Sequence, residues 1–544
     1  MRPIVTICAA LLAAGGAAGQ GYDLILENAR IVDGTGNPWY RGDVGIRGER
    51  VAAVGDLRGA AGRRIPLGGR VLAPGFIDLM GGTSLPLLSD SGAGISKLAQ
   101  GITTMFAGEG DSIAPQTGAT LTAEMRKSPL RWQTFTEFFR LLEARGLPLN
   151  VVDNVGATQV RRAVIGDQDR EPTAAETARM VALVEEAMRQ GAVAVSSALI
   201  YPPAAYASTA ELVALARAAG RFGGFYSTHM RNESYRLLDA VREAIEIGEK
   251  AGVPVHIYHL KAAGVENWPL VGKALEAIAA ARARGLDVTA DIYPYVRNGL
   301  PVEALIHPRH FARGAEAFRR SLADPAVRAA IRAEMEAPGE WENWYRHVGR
   351  NWDHIGVGQV DEGDRAWEGK SIAEVARMRS QDPWTTFFDL CARYRLHVHP
   401  LSMNEDQKHL ALRAEFIAVC TDAAPLNPAT ATGTHPRAFG AFPRILAKYV
   451  REDRVIPLEQ AVRRMTSLAA NRLRLHDRGR IAPGLFADLV VFDPDTIRDT
   501  ATFEKPVSLP AGIDYVLVNG AVVMDHGQWT KQLPGRQLKP LLRP

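Results

Sequence analysis

Ala192-Val193-Ala194-Val195, Gly224-Phe225-Tyr226-Ser227, Val253-Pro254-Val255-His256-Ile257 and Leu286-Asp287-Val288-Thr289-Ala290 are four β-prone runs whose starts lie 32, 29 and 33 residues apart. Between them, Thr209 to Gly220 and Ser234 to Ala251 carry apolar residues at three- and four-residue spacing, the period of a helix with one buried face. A repeat of about 30 residues is the length of one strand–helix unit. Successive units of this kind run their strands in parallel, because a parallel return needs a long crossover. Working outward, Gly75-Phe76-Ile77-Asp78 and Thr103-Thr104-Met105-Phe106 read as earlier strands, and Phe416-Ile417-Ala418-Val419-Cys420 as a late one. About eight units over roughly 350 residues predict an α/β chain folded as a (β/α)8 TIM barrel with insertions. A doubly wound open sheet is the competing architecture, but no GxGxxG follows any of these strands.

The ends of the chain read differently. Asp23-Leu24-Ile25-Leu26, Ala29-Arg30-Ile31-Val32 and Gly42-Asp43-Val44-Gly45-Ile46 are short strands separated by turn residues. Near the other end, Ala487 to Phe492 forms a strand, and Tyr515-Val516-Leu517-Val518 meets Ala521-Val522-Val523-Met524 across Asn519-Gly520, a strong hairpin signal. One small sheet domain built from both termini is expected, from 20–72 and 480–544, around a central barrel at 73–479. Residues 297–385, with Trp341, Trp344, Trp352 and Trp367 in a helical, charged context, read as a helical insertion, either a lid or a peripheral subdomain.

Composition narrows the class. The chain has 544 residues, with Lys+Arg 64 against Asp+Glu 60, and the resulting +4 is too diffuse for a nucleic-acid binder. Hydrophobic content of 47% excludes global disorder. Arg2, the apolar run Ile4 to Ala14 and Ala17-Ala18-Gly19 have the layout of a signal peptide over 1–19, so a periplasmic or secreted protein without a membrane span is expected after cleavage, with an uncleaved anchor as the alternative. Export leaves Cys391 and Cys420. Both sit in apolar contexts that favour buried small hydrophobes, with pairing left open.

In a barrel of this type chemistry gathers at the C-terminal ends of the strands. His229, His259 and Asp422 each follow an apolar β run directly, and two imidazoles with a carboxylate suit a zinc site. His256 lies inside its strand, where a core role is expected.

Segments across nearly the whole mature length resemble the N-acyl-D-amino-acid deacylases (D-aminoacylases) of the amidohydrolase superfamily. The matching text includes Val71 to Asp78, Ile200-Tyr201-Pro202-Pro203, Thr228-His229-Met230-Arg231-Asn232-Glu233 and Tyr258-His259-Leu260-Lys261. It continues through Asp291 to Tyr295, His435-Pro436-Arg437, Phe442-Pro443-Arg444 and Arg478 to Gly484. The resemblance implies a metal-dependent TIM barrel with a small β-sandwich made from both termini.

Two departures matter. Where the superfamily carries a His-x-His pair after the first barrel strand, this chain has Leu79-Met80-Gly81-Gly82; in the deacylases that pair serves a second, weaker metal position, so the resemblance implies one metal rather than none. Where the deacylases carry Gly-Asn-Cys-Gly, it has Gly108-Glu109-Gly110-Asp111, so Glu109 is the expected replacement for the thiolate ligand, with Asp111, or an exposed turn that supplies no ligand, as the alternatives. The expected ion is one zinc, with other divalent metals open because a carboxylate is a harder ligand.

By the same resemblance Asp422 is the catalytic acid–base. Arg437, Lys261 and Tyr293 hold the substrate carboxylate, and Tyr201 lines the pocket. The implied reaction is hydrolysis of an N-acyl amino acid, in the D series, by water activated at the metal. A dipeptidase or other amide hydrolase of the superfamily is the neighbouring alternative, and an inactive barrel binding peptide-like ligands is a different class.

Overall fold

Segments that are apolar on both faces become the parallel strands, because each is covered by its neighbours on one side and by helices on the other. They are β1 (Phe76–Asp78), β2 (Ile102–Ala107), β3 (Asn150–Asp153, resumed at Val155–Gly156), β4 (Ala194–Ala198), β5 (Phe225–His229), β6 (Val255–Ile257), β7 (Val288–Ile292) and β8 (Ile417–Val419). Every residue in them is buried. The computed structural model describes residues 21–539 apart from 123, 124, 127, 128 and 340. The expected leader, 1–19, lies outside the described residues.

The parallel strands pair in chain order. β1, β2 and the first part of β3 form a three-stranded sheet, and the second part of β3 through β8 forms a six-stranded one. The break in β3 falls at Asn154, whose amide side chain bonds to the Gly108 carbonyl at 2.8 Å. No ladder joins β8 to β1 among the described residues. Their ends meet through the Asp422 N–H on the Met80 carbonyl, at 2.9 Å, and the Thr421 N–H on Asp78 Oδ1, at 3.0 Å.

The crossovers follow local chemistry. Helix Thr209–Gly220 starts at Ser208, whose hydroxyl accepts from the Glu211 N–H, and helix Ala174–Gln190 starts with a Thr173/Glu176 capping box. Gly191, at φ 114°, ends the latter, so Ala192 and Val193 serve as the exit and β4 begins two residues later than the sequence pattern suggests.

The two termini share a nine-stranded sheet. Val71–Pro74 pairs in parallel with Tyr22–Ile31 and antiparallel with Leu489–Phe492, stitching the two ends of the chain together. The hairpin of Ile513–Val518 and Ala521–Asp525 turns through Asn519 and Gly520, both at positive φ. The ladders form one continuous sheet, where the resemblance implies a sandwich. Leu24, Val44, Val51, Ile65, Leu489 and Leu517, one from each of six of its strands, pack into a single core.

The segment expected to be a helical insertion is more than that. It carries helices such as Pro325–Glu336 and Pro383–Arg393, but also strands Leu300–Pro301 and Ile355–Glu362, which sandwich Arg395–Pro400 in a three-stranded antiparallel sheet. The unit therefore runs past residue 385. Its own core gathers Trp341, Trp344, Trp352, Trp367 and Cys391. Glycines and charges interrupt Ile355–Glu362, which hides its strand character from a pattern reading. Cys391 and Cys420 are both free and buried. Among the described residues no helix is long and apolar enough to cross a membrane.

Candidate metal centre

Strand ends deliver the site. β5 finishes on His229, and two residues beyond β6 the chain places His259 at φ 36°. Asp422, three residues past β8, sits at φ 49°. Both are left-handed conformations that cost non-glycine residues energy, and such strain collects where surrounding structure aims a side chain. Asp291, at the end of β7, does part of this work: its Oδ1 takes the His259 N–H at 2.6 Å, while its Oδ2 bonds His256 at 2.9 Å. The other ring nitrogen of His256 meets Thr289 at 2.8 Å, so its role is structural, as its place inside β6 suggests.

Glu109 follows β2 in a loop that is packed inward rather than exposed. The Gly110 N–H bonds Ser196 Oγ at 3.0 Å, and a Cβ on Gly110 would lie 2.8 Å from Ala198. Glu109 Oε1 lies 2.8 Å from His229 Nδ1 and 3.1 Å from His259 Nε2. Asp111 points away and pairs with Arg162 at 2.9 Å. Of the two carboxylates in Gly-Glu-Gly-Asp, Glu109 joins the histidines. One potential ligand atom from each of Glu109, His229 and His259 lies within 4.8 Å of the others, the one such trio among the described residues. Met80 and Gly82 line the same cleft, and a Cβ at Gly82 would come 2.5 Å from the Ala424 nitrogen. The first strand therefore contributes no imidazole and has no room for one at 82.

The cleft, about 330 Å³, also holds Asp422, Arg437, Lys261, Tyr293 and Tyr201. Asp422 and Arg437 form an ion pair. The Arg437 guanidinium lies 4.6 Å from the centre of the Tyr293 ring, and Tyr201 stands edge-on to His229. Arg437 Nε and the Tyr293 hydroxyl are buried donors without a partner.

Residues 64–524 match the amidohydrolase family. The chain belongs to that family. This amidohydrolase is 36% identical to the N-acyl-D-glutamate deacylase of Alcaligenes xylosoxydans xylosoxydans over 524 residues, covering 95% of this chain and 96% of that protein. It is 34% identical to the D-aminoacylase of the same organism, over 95% and 98% of the two chains. Among solved structures, N-acyl-D-glutamate deacylase from Bordetella bronchiseptica, complexed with zinc and a phosphonate inhibitor, matches with a TM-score of 0.79 at 32% identity, over 96% of this chain and 100% of that one. The resemblance read from the sequence holds, and the protein is a hydrolase of amide bonds.

One partner in the amidohydrolase site had no role assigned from sequence. Glu233 is buried behind the histidines, with Oε1 3.1 Å from His259 Nδ1 and Oε2 3.5 Å from His229 Nε2, and it also takes the Lys261 ammonium. Its signal was its position, four residues after His229. Each imidazole thus lies between Glu109 on one side and Glu233 on the other, the arrangement that orients metal-binding histidines.

The electrostatics test whether a cation fits. Burial disfavours the imidazolium of His229, yet Glu233 and Glu109 outweigh burial and push it up to about 10. Burial raises Glu109, but hydrogen bonds from His229 and His259 hold it well below the usual carboxylate range. The pocket therefore demands positive charge, and a divalent cation with two imidazoles and a carboxylate meets that demand.

Proposed function

We propose that this amidohydrolase is an exported N-acyl-D-amino-acid deacylase that uses one divalent metal, zinc by preference, held by Glu109, His229 and His259. The observation that carries the reading is the convergence of that trio, Asp422 and the paired Arg437 in one cleft. The strands β1 to β8 close into a barrel in this reading, since the Asp422-to-Met80 bond brings the last strand to the first. In this reading the terminal sheet and its core form the second domain, the sandwich that the resemblance implies. Export rests on the layout of residues 1–19.

Bound at the trio, a zinc ion lowers the pKa of water and polarises a carbonyl. The chain supplies the remainder. Burial raises the proton affinity of Asp422 despite the opposing charge of Arg437, which suits a group that must accept a proton. Asp422 takes the proton released as the water oxygen bonds to the amide carbon. It then returns that proton to the nitrogen as the C–N bond breaks, giving a carboxylic acid and a free amine, and the acid's remaining proton passes to the amine to leave carboxylate and ammonium. Arg437 Nε and the Tyr293 hydroxyl, both unpartnered donors in the cleft, hold the α-carboxylate, with Lys261 nearby through its contact with His259. Tyr201 covers the His229 side of the cleft.

The test is amine release from N-acetyl-D- and N-acetyl-L-amino acids by zinc-loaded protein, together with metal content by plasma mass spectrometry. Turnover of the D series with about one metal per chain is expected. No tight metal, or no hydrolysis of either series with metal bound, overturns the reading.

A further inference from the structure

The charges lining the cleft limit what a substrate can carry besides its α-carboxylate. Among the lining residues only Lys261 and Arg437 are strong cations, and each is already paired, Lys261 with Glu233 and Arg437 with Asp422. Three carboxylates face the same space: Glu109, Glu233 and Asp422. With a divalent ion at the trio the lining carries one net positive charge, which a single substrate carboxylate neutralises.

The wall away from the trio offers no further cation. It is made by the unit inserted after β7, through Leu300, Trp344, Gln359, His397 and His399, together with His435. The His435 ring is committed at both nitrogens: Nδ1 accepts the Arg437 N–H at 3.1 Å, and Nε2 donates to the Arg297 carbonyl at 3.1 Å, which fixes a neutral tautomer. His399 is buried against His435 and Phe503, with ring centroids 4.9 and 5.5 Å away. Burial and the nearby Arg437 push its pKa down to about 3. The guanidinium of Arg297, beside His399, is turned onto the carbonyls of His354 and His399 at 3.1 and 3.0 Å.

We infer that the amino-acid side chain accepted by this cleft is uncharged and predominantly apolar, seated against Leu300 and Trp344, and that acidic side chains are rejected. This distinguishes the chain from the N-acyl-D-glutamate deacylase it resembles. A second carboxylate seated on that wall would be stripped of water with no cation left to pair with it, and only neutral groups such as Gln359 and the unpartnered His397 Nδ1 to meet it. The inference rests on the deacylase reading above.

The experiment compares kcat/KM of the zinc-loaded full chain on N-acetyl-D-glutamate and N-acetyl-D-glutamine, which differ in charge but hardly in shape, and on N-acetyl-D-leucine and N-acetyl-D-phenylalanine. Leucine and phenylalanine substrates should lead, and glutamate should trail glutamine by roughly 100-fold. Glutamate equal to or above glutamine overturns the inference while leaving the deacylase reading intact. Hydrolysis of none of the four overturns both.

Discussion

At Glu109 a carboxylate stands where the resemblance implies a thiolate, and its Oε1 reaches both His229 and His259. Glu109→Ala should therefore abolish stoichiometric metal in a plasma mass spectrometry measurement, whereas Asp111→Ala, whose carboxylate faces Arg162, should leave metal content unchanged. Glu233→Gln keeps the shape behind the histidines but removes the charge that orients them. Metal affinity should fall about 10- to 100-fold in a chelator competition, and unchanged affinity would refute the orienting role. The pH dependence has a definite sign. In the metal-free protein His229 is raised to about 10, so at neutral pH metal must displace a proton from it. Apparent affinity should rise with pH between about 6 and 9, with proton release on binding visible in weakly buffered solution, and a flat profile would contradict this account.

Elements reach the site through a pair that contains no ligand. Lys97, on the short helix Ile95–Leu98, is fully buried and donates to Asp78 at the end of β1, at 2.7 Å, to Thr421 at 2.6 Å and to the Ala423 carbonyl at 2.7 Å. It thereby clamps the first strand to the turn that holds Asp422. Burial pulls the Lys97 pKa down against the attraction of Asp78, so the ammonium depends on its partners. Lys97→Met should leave Asp78 charged and unpaired in the interior, costing about 3–5 kcal/mol in denaturant unfolding. A loss below about 1 kcal/mol would show that the clamp is dispensable.

The whole molecule divides its labour between a parallel-strand scaffold that carries the reactive groups and an inserted unit that supplies one wall of the cleft. Trp352 lies at the centre of that unit, with ring centroids 4.5 Å from Tyr345, 4.9 Å from Trp384 and 5.1 Å from Phe387. Trp352→Ala should destabilise the unit by about 3–5 kcal/mol. Because the metal trio sits on other elements, KM should rise while metal content stays at the wild-type level. Loss of metal in this variant would mean that the two parts do not act separately.

The spacing of buried runs along the chain was enough to place the parallel strands and their helices, because a strand covered on both faces writes itself as a continuous apolar stretch. His229, His259 and Asp422 were legible for the same reason: strand ends can be located by local pattern. Asn519-Gly520 announced its hairpin through backbone chemistry that needs no distant partner. The resemblance already favoured Glu109 over Asp111, but what turns that carboxylate inward was not legible, since it depends on a loop pressed against β4 by Ser196 and Ala198, far away in sequence. Glu233 and Lys97 stayed silent because a buried charge shows its meaning only through partners brought in from other strands. The strands of the inserted unit escaped notice because they are stabilised by pairing across 300 to 400 rather than by their own alternation. Local periodicity and strand-end chemistry therefore determined the scaffold and the candidate ligands. Long-range packing alone decided how the Glu109 loop is held against the histidines, which cations are already spent on partners, and how much charge the cleft has left for a substrate.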